Sequence, residues 1–226
     1  MSKNIILFCD FDGTITEKDN IVDIMRQFAP QGWEEIVQSI LSQEKTIRTG
    51  VGELFALIPS SQKEEITRFV LEQARIREGF KEFVAFTEEQ GIHLLITSGG
   101  IDFFVHPMLE PFGLKERIYC NSARFNEPTI QITWPNSCDE HCDVDCGMCK
   151  TTIIRSFPAD QYYKVVIGDS ITDLAGAKIA DYTIARSFLK QKCEELHLPH
   201  SSFETFYDVI NTLKKLKLEI ESLSTT

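Results

Sequence analysis

Two short stretches of this chain place carboxylates where they could work together. Asp10 and Asp12 flank Phe11 and are followed by Gly13 and Thr14, while Asp169 and Asp173 stand four apart in Gly168-Asp169-Ser170-Ile171-Thr172-Asp173. In an extended segment residues i and i+2 face the same side, so Asp10 and Asp12 can project toward one point. Paired carboxylates in one small site repel and need a cation or a shared proton. A hard divalent cation such as Mg²⁺, which takes one or two carboxylates together with phosphate oxygens, resolves that conflict. Asp10 could then act as a nucleophile that forms an acyl phosphate, and Asp12 could trade a proton with the leaving group. The same residues also suit a plain turn after a strand, because Asp and Gly are ordinary turn formers.

Three further stretches carry reactive or anion-binding groups. Ser98-Gly99-Gly100 offers a hydroxyl and two unobstructed amides, an anion cradle if it leads from a strand into the helix that starts near Asp102. It is equally suited to a Gly-rich turn. Lys150 opens an apolar helical stretch with Ile153, Ile154 and Phe157, and a lysine at a helix start opposes the macrodipole unless an anion faces it. Lys164, at the start of the next strand, is its rival. Cys138, Cys142, Cys146 and Cys149 crowd into twelve residues with Asp139, His141, Asp143 and Asp145 between them. Such a cluster suggests zinc, yet only Cys146-x-x-Cys149 has the usual knuckle spacing. Four ligands this close in sequence should strain a tetrahedral cage, so free or redox-sensitive thiols are expected ahead of a structural Zn²⁺.

The elements that must position these groups can be read from periodicity. Ile5–Cys9 is an apolar run ending at Asp10, the pattern of a buried parallel strand. From about 19 to 76 the chain reads as helices only. Asp19 or Asn20 caps the first, Pro30-Gln31-Gly32 breaks it, and Ser61 with Glu64 predicts a capping box at the fourth. The apolar Phe28, Trp33, Phe55 and Leu57 of this stretch read as core. A helix over Phe80–Glu89 ends at Gly91 and feeds a strand over Ile92–Thr97. A helix broken at Pro107 or Pro111 and a short strand, Ile118–Cys120, follow. Ala123–Phe125 and Thr129–Trp134 then predict a hairpin around Asn126-Glu127-Pro128. Tyr162–Ile167 is a strand leading to Asp169, and Asp181–Arg186 is expected as the last strand. Residues 187–197 and 204–221 read as helical, and the Ser/Thr tail is expected to fray. The fold class is therefore α/β. The core is 1–18 and 77–226, with a small hairpin and cysteine-rich insertion at about 121–149. The helices of 19–76 form either a cap or ordinary helices on the sheet.

Composition narrows the function. At 226 residues with 42% hydrophobic and 25% charged side chains, the chain is an ordinary globular protein of one domain plus an insertion. A net charge of −11 argues against nucleic acid and against an anionic membrane surface as partners. No segment approaches the roughly 18–20 apolar residues that span a bilayer, and the first apolar run ends too soon at Asp10 for a leader. A cytoplasmic location is expected, in which the seven cysteines count as thiols or ligands rather than disulfides.

Asp10-Phe11-Asp12-Gly13-Thr14 after an apolar strand resembles the first motif of the haloacid dehalogenase superfamily, mostly Mg²⁺-dependent phosphatases. Ser98 matches the second motif, Lys150 the third, and Asp169 with Asp173 the fourth, all in the required order. The resemblance covers essentially the whole chain. It implies a Rossmann-like core with a parallel sheet and a helical cap between the first and second motifs. It also implies a phosphatase working through an aspartyl-phosphate on Asp10, with Asp12 as acid and base. Mg²⁺ would be held by Asp10, Asp169 and the backbone carbonyl of Asp12. Ser98, Gly99 and Lys150 would hold the phosphate of a small metabolite, supported by Thr14 and Asp173. An Asp at position 12 fits a phosphatase or phosphotransferase better than a dehalogenase.

The Ser-Gly-Gly motif points to the phosphoserine phosphatase-like branch. Within it, Cys9–Thr16, Glu64–Thr67, Arg77–Phe80, Trp134-Pro135 with the cysteines, and Gly168–Ser170 resemble the phosphatases of methionine salvage. A phosphoserine phosphatase normally presents a Glu nine residues after its nucleophile; here that residue is Asp19. The competing class is a non-catalytic phosphate- or zinc-binding regulatory module, which should have lost Asp10, Asp12 or Lys150.

Overall fold

Ile5, Leu7 and Cys9 face one apolar cluster while Ile6 and Phe8 face another, so this run is covered on both sides, as a strand inside a doubly wound sheet must be. The computed structural model describes residues 3–223, so the Ser/Thr tail lies outside the described residues. In chain order the elements begin β1 (Asn4–Cys9), α1 (Asn20–Phe28), α2 (Trp33–Leu41), α3 (Ile47–Ala56), α4 (Lys63–Gln73) and α5 (Phe80–Glu89). They continue with β2 (His93–Ile101), α6 (Asp102–Leu109), β3 (Ile118–Arg124), β4 (Gln131–Thr133), α7 (Lys150–Arg155) and β5 (Tyr162–Gly168). The chain closes with α8 (Ile171–Ala177), β6 (Tyr182–Ala185), α9 (Ser187–Glu195), β7 (His200–Ser202) and α10 (Phe206–Leu223).

One seven-stranded sheet has the order β4-β3-β2-β1-β5-β6-β7, parallel except where β4 runs against β3. The register fixes the site. Cys9, the last residue of β1, pairs with Ile96 on one side and Ile167 on the other. The residues that follow, Asp10, Thr97-Ser98 and Gly168-Asp169, therefore emerge together at the carboxyl edge, where open α/β sheets bind ligands. One face is covered by α5, α6 and α10 through Phe80, Phe83, Phe104 and Phe206. Edge-on contact of Phe80 with Phe206, at a centroid distance of 5.0 Å, adds about 0.5–1.5 kcal/mol beyond area burial. Ile153 and Ile154 of α7 cover the other face.

The helices of 20–73 leave and rejoin the core at one place. Thr16 bridges Ile76, the Glu17 amide donates to the Arg75 carbonyl (2.9 Å), and the Arg77 amide donates to the Ile15 carbonyl (2.7 Å). From there α4 lies on α6 and α3 on β4. The hairpin loop is joined to the α3–α4 connection by Ile130 N–H to Ile58 O (3.0 Å) and Ser60 N–H to Pro128 O (2.9 Å). Phe55 is enclosed edge-on against Phe103, and Phe28 against Phe69.

Several local expectations give way. The Ser61–Glu64 capping box is absent, because Ser60–Gln62 forms a 3-10 turn and α4 starts without a side-chain cap. Of the two prolines, Pro107 does not break α6, which instead ends at Leu109 ahead of Pro111. The Pro107 ring deprives the Phe103 carbonyl of a helical donor, and the Thr67 hydroxyl, shared with the Lys63 carbonyl (3.0 Å), lies 3.3 Å from it. Ile118–Cys120 and Ala123–Arg124 are one strand, β3, and Phe125 belongs to the loop. Asp181–Arg186 does not hold the last strand: β7, a three-residue polar edge strand, pairs with β6. Its His-Ser-Ser sequence has no apolar alternation to announce it.

Candidate active site

Asp10 leaves β1 with its amide bonded to the Ile167 carbonyl (2.9 Å) and is buried, at 5% exposure. Lys150, the first residue of α7, reaches it: Nζ donates to Asp10 Oδ1 at 2.6 Å and also to Asp173 Oδ1. These are the anions that a lysine at a helix start requires. Lys164 goes elsewhere, its Nζ donating to the Ile154 carbonyl at 2.8 Å.

Asp173 is fixed from within α8. Its Oδ2 accepts from the Asp169 and Ser170 amides, both at 3.1 Å, and from the Ser170 hydroxyl. Ser170 and Asp173 form a reciprocal capping box. Both oxygens of Asp173 are thus engaged by the protein. Asp169 is turned into the site by the Thr14 hydroxyl, which donates to Oδ1 at 3.0 Å. Gly13, at φ +77°, lets the loop pass so closely that a Cβ there would lie 2.5 Å from Asp169 Oδ2 and would push that carboxylate aside.

Oxygens of Asp10, Asp169 and Asp173 lie within 4.8 Å of one another. Three carboxylates outnumber the Lys150 ammonium among them. Burial pushes Asp10 well above the usual carboxylate range, Asp173 adds to the push, Lys150 opposes it, and Asp169 adds again. Asp169 rises to about 6, chiefly by burial and then by Asp173. Burial alone would lower Lys150, but Asp10 and Asp173 outweigh it and hold the ammonium above its ordinary value. A hard divalent cation among these oxygens would relieve the crowding, and an all-oxygen donor set suits Mg²⁺.

Asp12 does not point into this group. Its Oδ1 accepts from the backbone amide of Asn20 (3.0 Å) and from the Asn20 side chain (2.6 Å). Burial and then Asp19 raise its carboxyl to about 7, the two Asn20 donors and Lys150 pulling the other way. Asp12 and Asp10 therefore have separate partners, although the alternation of the strand suggests a common one.

Ser98-Gly99-Gly100 is not the expected strand-to-helix turn. β2 continues through it to Ile101, with an irregular register between Thr97 and Ile101, and α6 starts only afterwards. Such an irregularity leaves backbone groups unpaired and re-aims side chains. Ser98 is fully buried and its hydroxyl accepts from the Gly100 amide (2.9 Å), so its own proton can serve an anion. Gly99 is exposed beside it, its carbonyl accepting from Asn121 Nδ2 at 2.8 Å.

Sequence reasoning passed over the groups that hold the Asp10–Thr16 loop. Buried Arg77 donates to the carbonyls of Thr14 (2.7 Å), Gly13 (2.8 Å), Thr16 (3.2 Å) and Glu204 (3.4 Å). Arg186 adds a bond to the Gly13 carbonyl (3.1 Å). The one available signal was a lone Arg before Glu78-Gly79 at the return from the helical insertion. In the sequence Asn20 reads only as a cap. Asp19 is that cap, its Oδ1 accepting from the Val22 amide at 3.1 Å, which releases Asn20 for Asp12. Away from this site, the four cysteine sulfurs converge within 4.8 Å of one another, with Asp145 between them at a positive φ of 56°.

Comparison with known proteins shows the family and the fold. The family model described as haloacid dehalogenase-like hydrolase matches residues 7–178. A 2-hydroxy-3-keto-5-methylthiopentenyl-1-phosphate phosphatase of Brevibacillus brevis is 60% identical over 221 residues, covering 97% of this chain and all of that one. A phosphatase of the same name from Geobacillus thermodenitrificans is 56% identical over 218 residues, covering 96% and 99%. Among solved structures, a phospho-aspartyl intermediate analogue of phosphoserine phosphatase superposes with a TM-score of 0.67 at 17% identity, covering 93% of this chain and 99% of that one. At that identity the likeness concerns the fold.

Proposed function

From the fact that this chain belongs to the haloacid dehalogenase-like hydrolases, we propose that it removes phosphate from 2-hydroxy-3-keto-5-methylthiopentenyl-1-phosphate, in methionine salvage, through an aspartyl-phosphate on Asp10. The observation that carries the catalytic reading is the buried Lys150 ammonium held between Asp10 and Asp173. Such an arrangement opposes the burial that would neutralise Asp10 and aims its carboxyl at an incoming phosphoryl group. The substrate reading rests on the likeness to the Brevibacillus and Geobacillus phosphatases along nearly the whole of each chain.

Asp10 attacks phosphorus in line while the bond to the substrate oxygen breaks, and the Asp12 proton passes to the departing alkoxide. A carboxyl at about 7 is well placed for this, being protonated in much of the population near neutrality. Water then attacks the phosphorus of the aspartyl-phosphate, Asp12 takes its proton, and inorganic phosphate leaves with the Asp10 carboxylate restored. Ser98, Gly99 and Lys150 hold the phosphate oxygens, the positioning and charge balance on which phosphoryl transfer depends. Mg²⁺, held by Asp10, Asp169 and the Asp12 carbonyl, would neutralise phosphoryl charge when bound. Thr14 orients Asp169, and Asp173 orients Lys150. Residues 19–76 act as a cap that excludes bulk water during transfer of the phosphoryl group to Asp10.

Phosphoserine is the alternative substrate, favoured only by the fold likeness. Asp19, in the place of an ammonium-gripping Glu, is occupied as the cap of α1. The test is Mg²⁺-dependent phosphate release from both substrates by the wild type and by Asp10→Asn. Fast release from the methylthiopentenyl phosphate, little from phosphoserine and none by the variant is expected. Preference for phosphoserine would overturn the substrate, and an active variant would overturn the nucleophile.

A further inference from the structure

Residues 134–149 form neither helix nor strand. Apolar burial there is confined largely to Met148 and Cys149, while Val144 is 56% exposed. A polar segment of this kind cannot offset its ordering entropy with a core, and ordered segments that lack a core rely on a staple such as a disulfide or a metal.

The staple is visible in the side chains. The sulfurs of Cys138, Cys142, Cys146 and Cys149 are all within 4.8 Å of one another, with Cys142 and Cys146 3.9 Å apart. Four thiolates about 2.3 Å from one zinc ion stand about 3.8 Å apart at the corners of a tetrahedron. The separation is too long for a disulfide, which needs about 2.05 Å, and all four are free thiols. Asp145 (φ +56°) and Gly147 (φ +78°) bracket Cys146 in left-handed conformation, which curls the short Cys146–Cys149 spacing around one point. At Gly147 a Cβ would also lie 2.7 Å from the Trp134 ring.

Groups around the sulfurs are arranged as donors. The Cys146 amide donates to Cys138 Sγ (3.4 Å). The Thr151 hydroxyl accepts from Arg155 Nη2 (3.3 Å) and lies 3.2 Å from Cys149 Sγ, so its proton is available to that sulfur. Donors of this kind favour thiolate over thiol and orient ligands. An all-sulfur set selects a soft or borderline cation, the opposite preference to the carboxylates at Asp10.

We propose that Cys138, Cys142, Cys146 and Cys149 bind one structural Zn²⁺ that fastens the 134–149 segment between the catalytic core and the helical insertion. On one side Cys149 is bonded directly to Lys150. On the other, Asp145 accepts from the Thr46 hydroxyl (2.8 Å) and Arg48 Nη1 (3.4 Å), and its carbonyl accepts from the Arg48 amide (3.3 Å). The metal closes the loop that joins these contacts. This rests on the cysteine geometry alone and does not depend on the substrate or on Asp10 as nucleophile.

The test is the metal content of the full chain, purified without chelator and desalted, by elemental mass spectrometry, beside Cys142→Ser/Cys146→Ser. About one Zn²⁺ per wild-type chain is expected, with at least about tenfold less in the variant and a lower melting temperature. In case the variant fails to fold, wild-type protein grown in Co²⁺ should show the intense visible absorption of tetrahedral thiolate-bound cobalt. Zinc-free wild type, zinc retained by the double variant, stoichiometric iron in place of zinc, or disulfides among the four cysteines would each overturn the proposal.

Discussion

The carboxylate site and the cysteine cluster are both gatherings of like groups, but they are assembled in opposite ways. Asp10, Lys150 and Asp173 come from three separate elements and meet only because β1 and β5 end in register. The four cysteines come from one twelve-residue stretch and meet through left-handed turns at Asp145 and Gly147. The first is a product of the whole sheet and can be strained and charged because the core holds it. The second has little core of its own and needs its ligand to stay folded. A substitution at the first should therefore remove turnover and spare the fold, and one at the second should do the reverse.

The sharpest break is Asp10→Asn, expected to lower phosphate release by at least about 10³-fold, since no neighbouring group can replace the nucleophile. Circular dichroism should show the fold unchanged. Next comes Lys150→Ala against Lys164→Ala. The first should cost about 10²–10³-fold in kcat. The second, which loses a buried bond to the Ile154 carbonyl, should cost about 1–3 kcal/mol of stability with kcat retained; chemical denaturation and steady-state kinetics separate them. Thr14→Val removes the hydroxyl that turns Asp169 and should raise the Mg²⁺ concentration for half-maximal rate by about tenfold.

The smallest effect concerns pH. Asp12 must be protonated to release the alcohol, so kcat/KM should fall as pH rises through about 7. Asn20 donates its backbone and its side-chain N–H to the ionised form and lowers the value, so Asn20→Ala, which removes the side-chain donor, should move that limb to higher pH. With a phosphate ester whose leaving group needs no proton, the limb should vanish. If it persists with such an ester, Asp12 is not the acid.

Much of this site was legible because apolar strands stop abruptly at charged residues, as Ile5–Cys9 does at Asp10 and Tyr162–Ile167 before Gly168-Asp169. Lys150 was legible because a cation at a helix start demands an anion. What escaped depends on contacts distant in sequence. Nothing near Arg77 indicates that its guanidinium will meet the carbonyls of Gly13, Thr14 and Thr16. The convergence of the cysteines turns on Asp145 adopting positive φ, which Asp tolerates but does not announce. Ser98-Gly99-Gly100 was placed correctly in the chain but given the wrong shape, since a strand irregularity and a turn share the same glycine signal.

Arg77 also sets an order of events. Its guanidinium holds the loop after Asp10 only once the chain has made the helical excursion and returned, and it also reaches the carbonyl of Glu204, near the far end of the chain. Contacts so remote in sequence form late. The catalytic loop is made before the residues that hold it and is among the last segments to be set. An unfinished chain thus carries its nucleophile without the means to aim it.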